Sequence, residues 1–373
     1  MQAQAAGSAQ PLQLSPGQES WPFSLARFQD DPALLRAWQR LDEASPLPTQ
    51  AQAFVAALAV TMLAGTSIEI FTATGIDGIG ALLPLCRAPG RFAPWRMAGA
   101  REVFEPIDAL YESPAAASGL AEVLARQPRP LWFERVPAGS LLVPALKQAM
   151  KGRGVISVRP TVPCPTIALD ASWQTPESRF NSGRRSDFRR AARKAHELGA
   201  VAYEVLAPSP EQFDALFDEA IAVELRSWKR ETGTAIASEQ IKEDFFRTYF
   251  RAACASGEFR IAFMRIGGQA AAMQMAVVRG GRYWLFKIGF DEAYCKCSPG
   301  TLLMLHTLGW AAREGLEAYE LMGGVEPWIA EFWTRDHRDT VQVRAYPFSI
   351  AGLGALIAEV AGALRRRLLR GLG

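Results

Sequence analysis

Two glycine pairs, Gly267-Gly268 and Gly280-Gly281, cut the stretch from Phe259 to Phe290 into three runs that read as strands. Paired glycines suit two-residue hairpin turns, where both central positions require positive φ, so an antiparallel meander is expected. The next residues, Asp291-Glu-Ala-Tyr294-Cys-Lys-Cys-Ser298-Pro299-Gly300-Thr301, end the third strand and open a helix. Ser298 suits the N-cap and Pro299 the first helical position, while Leu302, Leu305, Leu308 and Ala312 follow at helical spacing. Glu314-Gly315 closes that helix, and Leu316 to Leu321 reads as a further strand. A strand, helix and strand joined in this way make a right-handed crossover with parallel strands. The free N–H groups of the helix start then face the end of the third strand, a position suited to phosphate.

A chain of 373 residues is long for one core and implies two domains, and 49% hydrophobic residues are enough to fill them. The net charge of +3 is too small to point to nucleic acid. Five scattered cysteines, without a repeated Cys-x-x-Cys spacing, give neither a disulfide framework nor a zinc site, so no metal is expected. The opening residues Met1 to Ser8 lack the basic and apolar regions of a secretory signal, and a cytoplasmic chain is expected.

Residues 1–45 read as largely disordered or irregular, 46–172 as a first mixed α/β domain, 173–350 as a second, and 351–373 as an amphipathic basic helix. The order helix, strand, turn, strand near residues 54–86 recurs from about 239 onward, a similarity of pattern that suggests an internal duplication. Pro160, Pro163 and Pro165 punctuate the passage between the halves. The arginine-rich stretch 179–198 reads as a helix, with either a solvated basic face or a site for a phosphorylated ligand. RNA is the weaker reading, because only Phe180 and Phe188 interleave the arginines. The stretch from Phe348 to Leu364, followed by Arg365-Arg-Arg-Leu-Leu-Arg370, is too short and interrupted to span a membrane. It reads as a final helix packed on the domain or as an interfacial helix drawn to anionic lipid, which would make the protein peripheral to the inner membrane.

A meander, a helix with an anion-binding start and a parallel strand make up the core order of the GNAT acyltransferase fold, which this segment resembles. Val223-Glu224-Leu-Arg-Ser-Trp228-Lys229-Arg-Glu-Thr-Gly233-Thr234-Ala235-Ile236 resembles the E-x-x-x-W-K-x-x-x-G-T-A-[IL] block of the GNAT subfamily associated with cellulose and exopolysaccharide biosynthesis (CelD/BcsL-like, distantly Fem-like). Lys287 to Gly300 resembles its K-x-x-[YF]-D-x-x-Y-x-x-x-S-P-G block. Glu320 to Arg335 resembles a third block, with Glu320 and Glu326 standing where that family carries Asp and His. The resemblance covers roughly residues 50–345 and implies tandem GNAT-like domains with a mixed sheet, the C-terminal one keeping the coenzyme A site and the first degenerate, without a Ser-Pro-Gly phosphate loop.

What the resemblance implies is transfer of an acyl group from acetyl-CoA or another acyl-CoA to an amine or hydroxyl of a saccharide or related polar metabolite. Ser298, Pro299, Gly300 and Thr301 would hold the pyrophosphate. Glu320 and Asp291 are candidate bases, because a carboxylate screened from water gains basicity. Tyr294 is a candidate to protonate the leaving thiolate, and Lys287 to contact phosphate or acceptor. Glu224, Trp228, Lys229, Glu326 and Trp333 are candidates to line the acceptor site. Two other functions fit the same features: a Fem-type transferase using aminoacyl-tRNA, and a non-catalytic module of an envelope-polysaccharide assembly.

Overall fold

Leu34, Ala37, Trp38 and Leu41 recur every three or four residues, and they bury one face of a helix, α1 (Pro32–Glu43), within the stretch expected to be irregular. Its start is well specified: the Asp31 side chain accepts from the Ala33 and Leu34 amides, and Pro32 follows. The computed structural model of the protein describes residues 23–24, 31–76, 78–90, 92–227 and 240–370.

The first half continues with a short strand β1 (Phe23–Ser24) that pairs with β2, helix α2 (Gln52–Val60), and the hairpin β2 (Ser67–Gly75) and β3 (Gly78–Arg87). Strand β4 (Trp95–Met97) completes an antiparallel meander, and β5 (Leu110–Tyr111) pairs with β3 from beside it. Helix α3 (Pro114–Ala125) then crosses to β6 (Leu131–Pro137), which runs parallel to β4. Helix α4 (Leu142–Ala149) and the long strand β7 (Gly154–Ala168) follow.

The second half opens with the basic helix α5 (Ser182–Leu198), strand β8 (Val201–Leu206) and helices α6 (Pro210–Leu225) and α7 (Gln240–Ala255). The glycine-divided runs form β9 (Phe259–Ile266), β10 (Gln269–Arg279) and β11 (Arg282–Phe290), antiparallel as expected, and all four turn glycines have positive φ, between 55° and 84°. Helix α8 (Pro299–Arg313) crosses to β12 (Ala318–Glu320), parallel to β11. Helix α9 (Pro327–Phe332), strand β13 (His337–Pro347) and helix α10 (Ile350–Arg370) end the described chain.

Among the described residues the strands join in a single sheet whose central order is β2-β3-β4-β6-β13-β7-β12-β11-β10-β9. Matching β2 with β9, β3 with β10, β4 with β11, β6 with β12 and β7 with β13 turns this order into its own reverse. Each half is therefore a meander, a crossover helix, a parallel strand and a last strand, and the last strands are exchanged. Strand β13 pairs with β6 and β7, while the far end of β7 pairs with β12. The three prolines of β7 do not interrupt it. Over Gly154–Pro165 the strand has β13 on one side, and β12 joins the other side only at Thr166, so missing amides can face an open edge.

One core lies between the sheet and α2, α6 and α7, where Phe54 meets Phe245 and Tyr249 edge-on at 5.3 and 5.2 Å. Aromatic pairs of this kind add about 1 kcal/mol each to the area they bury, so α2 of the first half is firmly set on α7 of the second. On the opposite face, α5 and α8 cover β8, β9 and β10 through Phe188, Ala195, Leu302 and Leu305. This layering leaves the ends of β11 and β12 as the junction between the halves.

Candidate active site

Strand β11 pairs with β12 only through Arg282, Tyr283 and Trp284. Beyond Glu320 the chain turns away at Met322 and Gly323, both with positive φ (57° and 53°), and β11 runs on without it to Phe290. A bulge marks the divergence: Met275 opposes Lys287 and Ala276 opposes Leu285, so Phe286 has no partner across the pair. Among the described residues β12 pairs with none of the six that follow, Leu285 to Phe290, so the two strands part over roughly 20 Å.

This splay leads into the start of α8. Ser298 is its N-cap by position but lies in the left-handed region (φ 48°, ψ 55°), and its hydroxyl makes no capping bond. Pro299 has no N–H, and the Gly300 amide is in the first turn, where the helix supplies no acceptor. A Cβ on Gly300 would meet only Phe290 Cδ1, at 3.5 Å, so the approach to that amide is open. The Thr301 and Leu302 amides donate to the Ser298 carbonyl, so the helix start offers the Gly300 amide, a favourable dipole and room for a polyanion.

At the other end of the splay stands a group that sequence reasoning missed. Glu105, from the loop before β5, accepts a 2.9 Å hydrogen bond from the Gly323 amide and faces Arg135 at 3.8 Å. Burial pushes its carboxyl up to about 7, against the opposing pull of Arg135, the Gly323 amide and Lys287. Arg135 is wholly buried, whereas Glu105 keeps 11% of its side-chain surface exposed and so can still reach a ligand. Arg135 donates to the Phe104 and Gly323 carbonyls and to Cys164 Sγ, and its guanidinium stacks on the Phe104 ring at 4.7 Å. The arginine ties the first half to the turn that opens the cleft.

Backbone strain is concentrated here too. Among the described residues, the non-glycine positions with positive φ are Phe104, Arg135, Met322 and Ser298. The first three surround Glu105 and the fourth starts α8. Each such residue costs on the order of 1–2 kcal/mol, which the surrounding packing must offset.

The residues expected to act together are distributed along this cleft and beyond it. Lys287 sits at the bulge, its Nζ 4.3 Å from the centre of the Phe246 ring and close enough to Glu105 to act on its carboxyl. Glu320 is buried, but Oε1 already accepts from Arg282 Nη1 at 2.7 Å and Arg338 Nε at 2.8 Å, the arrangement of an anchor more than of a proton acceptor. Asp291 lies roughly 20 Å along β11 from the level of Glu320. It is bound to Arg226 Nε at 2.5 Å and caps the turn after β11 by accepting from the Ala293 amide. The two carboxylates are therefore not brought together.

Tyr294 points away from the cleft and donates to Gln269 Oε1 at 3.2 Å, on the β10 side of β11. Glu224 is buried at the end of α6, close behind Gly289: a Cβ there would come within 3.3 Å of Glu224 Cα. Glu326 is exposed before α9, and the half-buried Trp333 packs edge-on against Phe180 at 5.9 Å, at the margin of the core. Trp228 and Lys229 lie outside the described residues. A cavity of about 300 Å³ opens elsewhere, between α5 and α8, where the Tyr203 ring stacks on His306 at 4.9 Å.

Residues 182–328 match the acetyltransferase (GNAT) domain family. No curated protein sequence matches the chain. Among solved structures, the C-terminal domain (DUF2156) of a putative lysylphosphatidylglycerol synthetase from Agrobacterium fabrum is similar over 87% of this chain and 96% of that one, with 13% identity and a TM-score of 0.54. FemX is similar over 84% of this chain and 96% of its own, with 10% identity and a TM-score of 0.54. A conserved protein of unknown function from Bacteroides thetaiotaomicron covers 83% and 97%, with 10% identity and a TM-score of 0.53. At such identities the likeness is one of fold.

Proposed function

We propose, from the match of residues 182–328 to the acetyltransferase (GNAT) domain family, that the protein transfers an acyl group, most simply acetyl, from coenzyme A to an amine or hydroxyl of a polar acceptor such as a saccharide. The observation that carries this reading is the parting of β11 from β12 after Trp284, a splay that leads at one end into the uncapped start of α8 and at the other to Glu105. An extended thioester arm can lie in the splay between β11 and β12 while its pyrophosphate meets the Gly300 amide. The saccharide acceptor rests on the CelD/BcsL-like blocks at Glu224–Ile236 and Lys287–Gly300.

In this reading Glu105 takes the proton of the attacking amine or hydroxyl, for which a carboxyl near neutrality is well matched. Attack on the thioester carbonyl is direct and needs no cysteine: the new C–N or C–O bond replaces the C–S bond, and coenzyme A leaves as a thiolate that takes the proton held by Glu105 or one from solvent. Lys287 holds positive charge beside the developing oxyanion, and Glu320 fixes Arg282 and Arg338 at the neck of the cleft.

A Fem-type transfer from aminoacyl-tRNA is the second reading, favoured by the FemX-like fold and by the arginines of α5. Against it, several of those arginines are used internally: Arg184 covers the Phe332 ring at 3.8 Å, Arg185 donates to the Phe180 carbonyl, and Arg190 pairs with Asp187. Native mass spectrometry and thermal shift with acetyl-CoA, free coenzyme A and tRNA separate the two. Retained coenzyme A and a melting temperature that climbs with the logarithm of acetyl-CoA concentration are expected. A steeply salt-dependent tRNA complex with no response to coenzyme A would replace the proposal with the second reading.

A further inference from the structure

Helix α10 begins directly after β13, and its inner face is held against that strand. Gly352 lies so close to Pro347 that a Cβ would come within 2.0 Å of the Pro347 carbonyl oxygen, and the Gly352 amide donates to Ser349 Oγ. The opposite face is different. Ile350, Leu353, Ile357, Val360 and Leu364 are spaced by three and four residues, fall on one side, and are all exposed, Ile350 at 73% and Ile357 at 69%. Phe348, 60% exposed, extends the stripe before the helix. Aliphatic side chains lined up along one helix face mark a surface that something covers.

Charge decides what covers it. The helix carries a single acid, Glu359, which is half-buried and acts on Arg344 of β13. Its last turns hold four arginines, at positions 365, 366, 367 and 370. A second copy of the helix, laid parallel, would align these arginines with each other; laid antiparallel, it would set them against an end with no exposed acid. A surface of anionic lipid supplies both partners at once, an apolar layer for the stripe and phosphates for the arginines. None of the described helices is long and apolar enough to cross a bilayer, so the contact lies along the surface.

We propose that α10 is a membrane-surface helix that seats the protein on anionic phospholipid, with Leu353, Ile357, Val360 and Leu364 below the headgroups and the basic last turns supplying the charge. This does not depend on the acyl-transfer reading. The site at Glu105 and α8 is left free, because the stripe is on the side of α10 away from the sheet.

The test is cosedimentation of the full chain with vesicles of equal parts phosphatidylcholine and phosphatidylglycerol, and with phosphatidylcholine alone, alongside light scattering of the protein by itself. Binding to the mixed vesicles should be at least tenfold tighter than to the neutral ones and should weaken with salt. The pair Ile357→Glu and Val360→Glu, at exposed positions, should remove binding without changing the melting temperature. Arg365→Gln and Arg367→Gln, the arginines nearest the stripe by helical position, should weaken it about fivefold each. Equal binding to both vesicles overturns the role of charge. A monomer that binds neither overturns the proposal, as does a dimer dispersed by the Ile357→Glu, Val360→Glu pair, which would assign the stripe to a second copy.

Discussion

The two crossover helices, α3 and α8, occupy matching places in the two halves, and both start with Ser-Pro. Ser113 has an extended backbone, and its hydroxyl accepts from the Ala116 amide at 3.1 Å, so this helix start is capped by its own side chain. Glu112 stands immediately before it, paired with Arg40 and accepting from the Ile76 amide. Ser298 is left-handed, its hydroxyl caps nothing, and the third residue is glycine where α3 has Ala115. The preceding strands differ in the same sense. Strand β4 ends at Met97 and the chain turns off at Gly99 (φ 93°), whereas β11 continues for six residues past its last pair with β12. One copy of the unit closes its helix start with its own side chain, and the other leaves its helix start uncapped. Two copies of one topology thus differ at the cleft: the first half brings Glu105 to it, the second the splayed end of β11 and the start of α8.

The largest expected effect concerns the exchanged strands. Residues 1–172 expressed alone leave β6 and β7 without β13, and 173–373 alone leave β12 without β7 and β13 without either neighbour. Each half should be insoluble or unfolded by circular dichroism, and coexpression should recover a soluble pair; an independently folded half would break the picture of reciprocal exchange. Next comes the helix start. Gly300→Glu adds a carboxylate that suits the first turn of a free helix and repels a pyrophosphate, so the melting temperature should hold while stabilisation by coenzyme A disappears. Ala115→Glu, at the matching place in α3, should leave coenzyme A binding unchanged.

Glu105→Gln should lower kcat about 10²- to 10⁴-fold with acetyl-CoA binding intact. The wild-type rate should rise with pH through about 7, as Glu105 loses its proton, and the variant should lack that limb. The same carboxyl affects stability. Its folded pKa is raised, so the native state binds more protons than the unfolded chain between the ordinary carboxylate range and about 7, and stability from this group falls as pH rises across that window. Chemical denaturation of the wild type and Glu105→Gln at several pH values should show a smaller loss in the variant, which keeps the contribution of Asp108, itself pushed up to about 7 by burial. Glu320→Gln, by contrast, should cost about 2 kcal/mol of stability through its two arginines and leave the pH profile in place. The smallest effects separate the two serines. Ser113→Ala should destabilise by about 1 kcal/mol through the lost cap, whereas Ser298→Gly should stabilise by up to about 1 kcal/mol by relieving a left-handed serine.

Much of the second half was legible because its signals are local. Glycine pairs that need positive φ, a Ser-Pro start and leucines at helical spacing gave the meander, α8 and β12 within a few residues. The candidate site was legible at one end. Asp291 and Tyr294 sit in the right loop, but Arg226 and Gln269 hold their side chains, and nothing in the local pattern names those partners. Arg135 offered a clue in retrospect, an arginine within the apolar strand Leu131-Trp-Phe-Glu-Arg-Val-Pro137, where its charge had to meet partners from elsewhere.

By itself, then, the sequence determined the local units: where strands turn, where α8 begins, and which helix start lacks a side chain at its third residue. Tertiary structure decided which strands share the sheet and which carboxylate stands at the cleft. Glu105 meets Gly323 across 218 residues of chain, and β6 meets β13 across about as many, so the pairing leaves no period or motif in either segment. The raised affinity of Glu105 for its proton comes from burial between two halves, a property of the assembled junction that no short stretch of sequence can encode.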